Sequence, residues 1–317
     1  MIMSAVTAEQ SFTYPLPRAP RPDFLKLGGI AAGMVLSLAA TDEILTHMHW
    51  PATETEVVGE YTGWLVFGGL GETGGDRVIE ELDGSLPSPL SSVHYSSRGV
   101  DEAALGQALA SHYKTAPSGH EPQNLVTHSM GLPMSLEGMA WNARRGNYVP
   151  PVAEIHAISS PFQATDTHME KALALIDILP WREGLATKLA VEFFFAGRRH
   201  AKLSLPNLGR IIRDSMAGSL DVLPPKTWRS MARIMRRTGH YEPGVFNNII
   251  TPDTNITYYR DMKDDVVRQP DAVDSLYQGL CEQYGAKLKV VETEGAGHAN
   301  VAETRPYLAR MVARKAR

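Results

Sequence analysis

Residues 124–131 read Asn-Leu-Val-Thr-His-Ser-Met-Gly, an apolar run that ends in a serine two residues before a glycine. Asn124–Thr127 has the composition of a short buried strand, and a helical pattern follows the serine. A turn that joins a strand directly to a helix needs small residues on both sides of Ser129. Gly131 meets that need, whereas Thr127 stands where glycine is usual, and its β-branch crowds the turn. The stretch predicts a serine nucleophile between a strand and a helix.

A serine hydroxyl is a poor nucleophile near neutral pH, so it needs a histidine to take its proton and a carboxylate to hold that histidine. Asn255–Tyr259 predicts a later strand, and three aspartates follow it. Asp264 is the acid we favour, and Asp265 is the closest alternative acid. Asp261 is expected to cap a turn or to form a salt bridge.

The base is predicted in the loop after the last strand. Lys287–Glu292 predicts that strand, and the sequence Glu-Gly-Ala-Gly-His follows as residues 294–298. Glycines on the N-terminal side let the loop turn His298 inward over the sheet edge. Of the 11 histidines, His298 alone sits in a glycine-rich loop after a final strand. His128, beside the serine, is expected to point elsewhere and to pack under the loop.

A glycine-rich loop follows the first strong strand, residues 62–67. Phe67–Gly75 holds five glycines in nine positions, which is costly in chain entropy unless the backbone approaches something closely. We expect Gly69 or Leu70 to donate one backbone N–H to a developing oxyanion and Met130 to donate the other. A dinucleotide fingerprint also matches this loop, but no acidic ribose partner is well placed further along the chain.

Strands alternate with helical patterns from residue 55 onward, which predicts an α/β fold with a mostly parallel sheet flanked by helices. Residues 163–245 break this alternation with helical stretches alone, the best of which are 172–179, 185–196 and 226–237. We interpret 163–245 as a helical cap inserted into a core of residues 51–162 and 246–317.

Composition excludes several function classes. The chain has 317 residues, 43% of them hydrophobic and 21% charged, with a net charge of −4, so a nucleic-acid partner is not expected. Cys281 is the only cysteine, which rules out an intramolecular disulfide. No histidine, cysteine or carboxylate cluster has convincing metal-ligand spacing, so no metal and no cofactor are predicted. The sequence leaves the oligomeric state open.

Residues 1–50 form a predicted N-terminal extension. The segment 27–41 carries no charge and follows Arg18, Arg21 and Lys26, as in a signal peptide, and it is too short for a comfortable membrane span. A buried helix that leads into the domain fits the same pattern. Export, membrane association through residues 27–41 and a cytoplasmic location therefore all stay open.

Together these motifs resemble the α/β-hydrolase superfamily over about residues 55–162 and 246–317. The resemblance rests on Phe67-Gly68-Gly69, His128-Ser129-Met130-Gly131, Asp264 and Gly297-His298-Ala299-Asn300. It implies an esterase, lipase or related acyl-transfer activity on a small-molecule or lipid ester, with the cap between the sixth and seventh strands of the family's scheme. The position of Asp264 beyond its strand matches where that fold holds its acid. An acyltransferase and a non-catalytic binding protein on the same fold remain alternatives.

Overall fold

A seven-stranded sheet forms the centre of the computed structural model. The structure describes residues 54–69, 72–82, 84–87, 89–96, 99–116, 122–168, 170, 225–264, 266–293, 295, 297–298 and 301–315. In chain order the strands are β1 Glu56–Val58, β2 Trp64–Phe67, β3 Ser91–His94, β4 Gln123–His128, β5 Val152–Ile158, β6 Asn255–Asp261 and β7 Lys287–Thr293. The α-helices of these residues are α1 Asp76–Leu82, α2 Glu102–Tyr113, α3 Gly131–Arg144, α4 Pro225–Arg237, α5 Gln269–Leu276 and α6 Arg305–Lys315.

The strands lie in the order β1-β3-β2-β4-β5-β6-β7. Strand β1 pairs antiparallel with β3, and every other neighbouring pair is parallel. The predicted α/β class with a mostly parallel sheet is thereby confirmed. The sequence pattern did not predict β1, which has only three residues and no buried one, or the seven-residue helix α1.

The order reverses beside β2, because the chain runs from β2 to β3 on one side and then returns to β4 on the other. In open parallel sheets, binding sites form beyond the carboxyl ends of strands at such a reversal. The glycine-rich loop follows β2 and the serine turn follows β4, so the two lie at this point of the sheet.

Each face of the sheet has its own apolar core. Leu125 of β4 packs on one face with residues of α2, α3, α4 and α5, whereas Val126 packs on the other with residues of α1 and α6. Both side chains are fully buried. Strand β4 is therefore buried on both faces, which explains why its sequence is a continuous apolar run rather than an alternating one.

Local signals in the sequence account for the helix boundaries that the structure describes. Helix α2 begins after Asp101, whose side chain caps it by accepting a hydrogen bond of 2.7 Å from the amide of Ala104. Helix α4 covers the predicted helix at 226–237, and its buried face includes Met231 and Met235.

Several predictions fall on other parts of the chain. The helices at 172–179 and 185–196, the extension 1–50 and the apolar segment 27–41 lie outside the described residues. The helical cap over 163–245 therefore stays a prediction. Among the helices of the described ranges, none combines the length and the apolar character needed to cross a membrane.

Candidate active site

The serine turn has the strained geometry that its sequence predicted. Ser129 joins β4 to α3 with a φ of 50°, in the left-handed region that L-residues rarely adopt, and it is 5% exposed. A Cβ added at Gly131 would lie 2.6 Å from the carbonyl oxygen of Phe67, so only glycine fits where α3 passes β2. Backbone strain and close passage together hold the hydroxyl at the carboxyl edge of the sheet.

Thr127 fits its unusual position because its side chain lies against β5. The residue is fully buried, and its Oγ1 lies 3.4 Å from Ser160 Oγ and 3.4 Å from the carbonyl oxygen of His156. The β-branch therefore packs beside the neighbouring strand, and the turn at Ser129 forms without glycine at residue 127.

Asp264 lies in the loop after β6 and is held by four hydrogen bonds. Its Oδ1 accepts from the amides of Val266 and Val267 at 2.8 and 2.9 Å, and its Oδ2 accepts from Gln269 Nε2 at 2.7 Å and pairs with His298 Nδ1 at 2.8 Å. Burial raises the pKa of this carboxyl, but the bond to His298 and the two amides lower it by more, to below its ordinary value. Asp264 is therefore an ionised acceptor beside the imidazole.

The other two aspartates differ from Asp264. Asp261, at the end of β6, accepts from the amide of Lys263 through Oδ1 at 2.7 Å and from the amide of Gly297 through Oδ2 at 2.8 Å. It caps a turn, as predicted, and also holds the histidine loop. Asp265, the alternative acid, lies outside the described residues.

His298 stands between the serine and the aspartate. Its Nε2 is 2.7 Å from Ser129 Oγ, and its Nδ1 is 2.8 Å from Asp264 Oδ2. Because the ionised carboxylate accepts, Nδ1 carries the proton and Nε2 is left to accept from the hydroxyl. Gly297 has a φ of 98°, which an L side chain rarely adopts, so the glycine before the histidine sets the course of the loop.

The predicted oxyanion donors differ in what their amides contact. The amide of Met130 makes no hydrogen bond with the part of the chain that the structure describes. The amide of Gly69 donates to Glu72 Oε2 at 2.5 Å, so it is occupied by a carboxylate. Leu70 lies outside the described residues. Gly69 still abuts the site, since a Cβ there would lie 2.7 Å from Ser129 Cβ.

Three buried side chains support these loops through contacts that sequence reasoning missed. Glu72 and His128 form a buried ion pair, with Oε1 and Nδ1 3.0 Å apart, and Tyr95 donates its hydroxyl hydrogen to the carbonyl oxygen of Gly68 at 2.8 Å. His128 packs under the loop, as predicted, but through a charged contact. A glutamate inside a glycine-rich loop was the available signal, because a carboxylate buried there needs a partner.

No group of three or more metal-ligating side chains is found within the ranges that the structure covers. The site described here is built from a hydroxyl, an imidazole, a carboxylate and backbone amides.

The chain matches no protein-family model and no curated protein. Among solved structures, it is similar to a hydrolase from Oleispira antarctica, with 10% identity and a TM-score of 0.48 over 82% of this chain and 94% of that one. A carboxylesterase from Bacillus subtilis gives 13% identity and a TM-score of 0.45 over 88% and 96%. A lipase-esterase related protein from Clostridium acetobutylicum gives 11% and 0.49 over 83% and 99%. Likenesses this distant say nothing about activity.

The topology itself defines the architecture. A mostly parallel sheet reverses its strand order beside β2, and a strained serine turn follows its central strand β4. Asp264 follows β6 and His298 follows β7, which gives the chain order serine, aspartate, histidine. The chain therefore has the α/β-hydrolase fold.

Proposed function

We propose that this protein is a serine hydrolase that cleaves a carboxylic ester through an acyl-enzyme. The observation that carries the proposal is the pair of distances at His298, 2.7 Å to Ser129 Oγ and 2.8 Å to Asp264 Oδ2. Ser129 lies more than a hundred positions before the other two residues, and contacts of this length form only where the fold brings the three side chains together. The roles they suit are nucleophile, base and orienting acid.

In the proposed reaction, Ser129 Oγ attacks the ester carbonyl carbon while His298 Nε2 takes the hydroxyl proton. The negative oxygen of the tetrahedral intermediate accepts from the amide of Met130 and from one amide of the glycine-rich loop. Because the Gly69 amide is occupied by Glu72, Leu70 is the loop donor that we propose. The intermediate then expels the alcohol, which receives the proton from His298.

Water completes the cycle by the same steps. It attacks the acyl carbon, gives a proton to His298, and releases the carboxylic acid as Ser129 Oγ takes that proton back. Asp264 keeps the imidazole in one tautomer and stabilises the imidazolium that forms in each half of the reaction. We propose an oxygen ester, from a small molecule or a lipid, because an ester carbonyl is more electrophilic than an amide carbonyl and an alkoxide leaves a tetrahedral intermediate more readily than an amide anion does.

Covalent labelling tests this proposal directly. A fluorophosphonate probe should modify Ser129, identified by peptide mass spectrometry, and the wild-type protein should turn over short p-nitrophenyl esters. Ser129→Ala should abolish labelling and turnover while it keeps the circular dichroism spectrum and the unfolding midpoint. A protein that is folded but neither labelled nor active would support a binding module on this fold. Ester products formed in the presence of competing alcohols would support acyl transfer instead of hydrolysis.

A further inference from the structure

A second carboxylate–imidazole pair lies beside the proposed triad and takes no part in its proton transfers. Glu72 is 8% exposed and His128 is 4% exposed, and the proposed mechanism uses neither side chain. Glu72 Oε1 and His128 Nδ1 are 3.0 Å apart. Taking both groups out of water costs free energy, and this cost can exceed the gain from their mutual attraction. Stabilisation of the fold therefore does not by itself explain why the pair is buried here.

The remaining polar atoms of the pair bond to the backbone of two loops of the site. Glu72 Oε2 accepts from the amide of Gly69, in the glycine-rich loop after β2. His128 Nε2 lies 2.9 Å from the carbonyl oxygen of His298, in the loop after β7. Since His128 itself directly precedes Ser129, two side chains connect the loops that hold the oxyanion donors, the nucleophile and the base.

These contacts fix every proton of the pair except one. A carbonyl oxygen can only accept, so His128 Nε2 carries a proton, and the Gly69 amide makes Glu72 Oε2 an acceptor. One proton is left between Oε1 and Nδ1. Burial raises the pKa of Glu72, and its bonds to His128 and Gly69 lower it by more. Burial likewise lowers the pKa of His128, and Glu72 raises it by more. Both directions favour a carboxylate facing an imidazolium, with the Arg77 guanidinium 3.6 Å from Oε1.

We propose that Glu72 and His128 are positioning residues, which fix the glycine-rich loop and the backbone of His298 relative to Ser129. This inference rests on the proposed function. Glu72 bonds to the loop of the proposed oxyanion donor, and His128 bonds to the backbone of the proposed base, His298. The donor and the base act when the tetrahedral intermediate forms. Loss of the pair should therefore lower kcat more than it raises KM, because ground-state binding does not need this alignment.

Replacement of Glu72 by two residues separates position from charge. Glu72→Ala leaves the Gly69 amide without its acceptor, and kcat should fall roughly a hundredfold, the scale expected when reacting groups shift by about 1 Å. Glu72→Gln keeps an oxygen for the Gly69 amide and an N–H for His128 Nδ1, so a neutral His128 can still bond to His298. That conservative variant should restore kcat to within about fivefold of wild type.

A matched pair elsewhere in the sheet provides the control. Glu154 and His156 on β5 are also buried, 6% and 1% exposed, with a contact of 3.2 Å between Oε2 and Nε2. Glu154→Ala should lower the unfolding midpoint and leave kcat of the folded protein unchanged. An equal loss of kcat in Glu154→Ala and Glu72→Ala would overturn the proposal, as would full kcat in a folded Glu72→Ala variant.

Nuclear magnetic resonance of ¹⁵N-histidine protein gives a readout that needs no turnover. His128, assigned by difference from His128→Gln, should appear as an imidazolium near pH 7 in the wild type and as a neutral Nε2–H tautomer in Glu72→Gln. The His298 Nδ1 proton should shift in His128→Gln, which breaks the contact with Glu72. A His298 signal that does not respond would overturn the proposal even if Glu72→Ala fails to fold. If the His128 and His298 signals change as expected but the protein turns over no ester, the proposed function would be contradicted and the positioning role would stand.

Discussion

At the scale of single residues, the site depends on a few positions with a strained or closely packed backbone. Ser129 holds a φ of 50°, a conformation that costs about 1–3 kcal/mol for a non-glycine residue and persists only when its surroundings impose it. Gly69 and Gly131 allow the close packing around this turn, since a Cβ at Gly69 would lie 2.7 Å from Ser129 Cβ and one at Gly131 would lie 2.6 Å from the carbonyl oxygen of Phe67. The sequence could predict this turn because an apolar strand precedes Ser129, Gly131 and a helical pattern follow it, and a carboxylate and a histidine come later in the chain.

The identity of the acid is a prediction at the same scale. Asp264→Asn should lower kcat by a factor on the order of 10⁴, because an amide cannot hold His298 in the required tautomer. Asp265→Asn, the alternative acid, should leave kcat within about threefold of wild type by the same criterion. Steady-state turnover of a p-nitrophenyl ester checks both. A larger loss in Asp265→Asn would reverse the assignment of the acid.

The contact between Gly69 and Ser129 gives a second prediction. Gly69→Ala adds a methyl group 2.7 Å from Ser129 Cβ, so the loop must move away from the nucleophile. The rate of fluorophosphonate labelling should fall at least about tenfold, because the oxyanion donors move with the loop.

Gly146→Ala is the control for that variant. Gly146 follows α3, and a Cβ there would meet nothing within 4 Å, although its φ of 67° also makes the substitution strained. It should lower stability by about 1 kcal/mol and leave the labelling rate unchanged. Equal labelling rates in wild type and Gly69→Ala would show that the loop does not need this close approach.

At the scale of elements, hydrophobic patterns predicted the long, buried pieces and missed the short ones. Strands β4 and β6 have six and seven residues with apolar runs, and both were predicted. Strand β1 has three residues and none buried, so no burial pattern marks it. The link between Glu72 and His128 was also beyond prediction, because the two residues are 56 positions apart and meet only through the pairing of β2 with β4.

Helix α3 carries a buried carboxyl whose titration should be measurable. Burial raises the pKa of Glu137 from 4.5 to about 7, and nearby Glu102 adds to the rise. The folded state therefore binds more protons than the unfolded chain between these two values. The free energy of unfolding should fall as pH rises from about 4.5 to about 7 and then level off, with a total loss from this group of roughly 3 kcal/mol.

Glu137→Gln removes that titration and should reveal it. The difference in unfolding free energy, variant minus wild type, should increase by roughly 2–3 kcal/mol from pH 5 to pH 8. Urea unfolding at each pH measures it. Glu80→Gln on α1, where the side chain is exposed, should follow the wild-type pH dependence. Parallel pH profiles for wild type and Glu137→Gln would contradict a raised pKa at this position.

At the scale of the whole molecule, one sheet gathers residues from both halves of the chain. The loops after β2 and β4 come from the part before residue 163, and the loops after β6 and β7 come from the part after residue 245. Parallel pairing aligns their carboxyl ends at one edge, so the order of strands determines which side chains can meet. Strand alternation predicted the mostly parallel sheet that makes this convergence possible. The contacts beneath the loops depend on which side chains meet in three dimensions, and alternation does not show that.

The two-sided packing of that sheet gives a last prediction. Leu109 of α2 and Leu308 of α6 are fully buried in the cores on opposite faces, and both lie away from the proposed triad. Leu→Ala at either position should lower the free energy of unfolding by about 2–5 kcal/mol, because each leaves a cavity.

Since the sheet separates the two cavities, the double variant should lose the sum of the single losses within about 0.5 kcal/mol. Val290→Ala on the edge strand β7, where the side chain is 39% exposed, should change stability by less than about 0.5 kcal/mol. Urea unfolding followed by circular dichroism measures all four proteins. A loss below about 1 kcal/mol for Leu308→Ala would mean that α6 does not cover its face of the sheet, because a leucine truncated in a packed core costs more. Strong non-additivity would mean that the two cores are coupled through the strands between them.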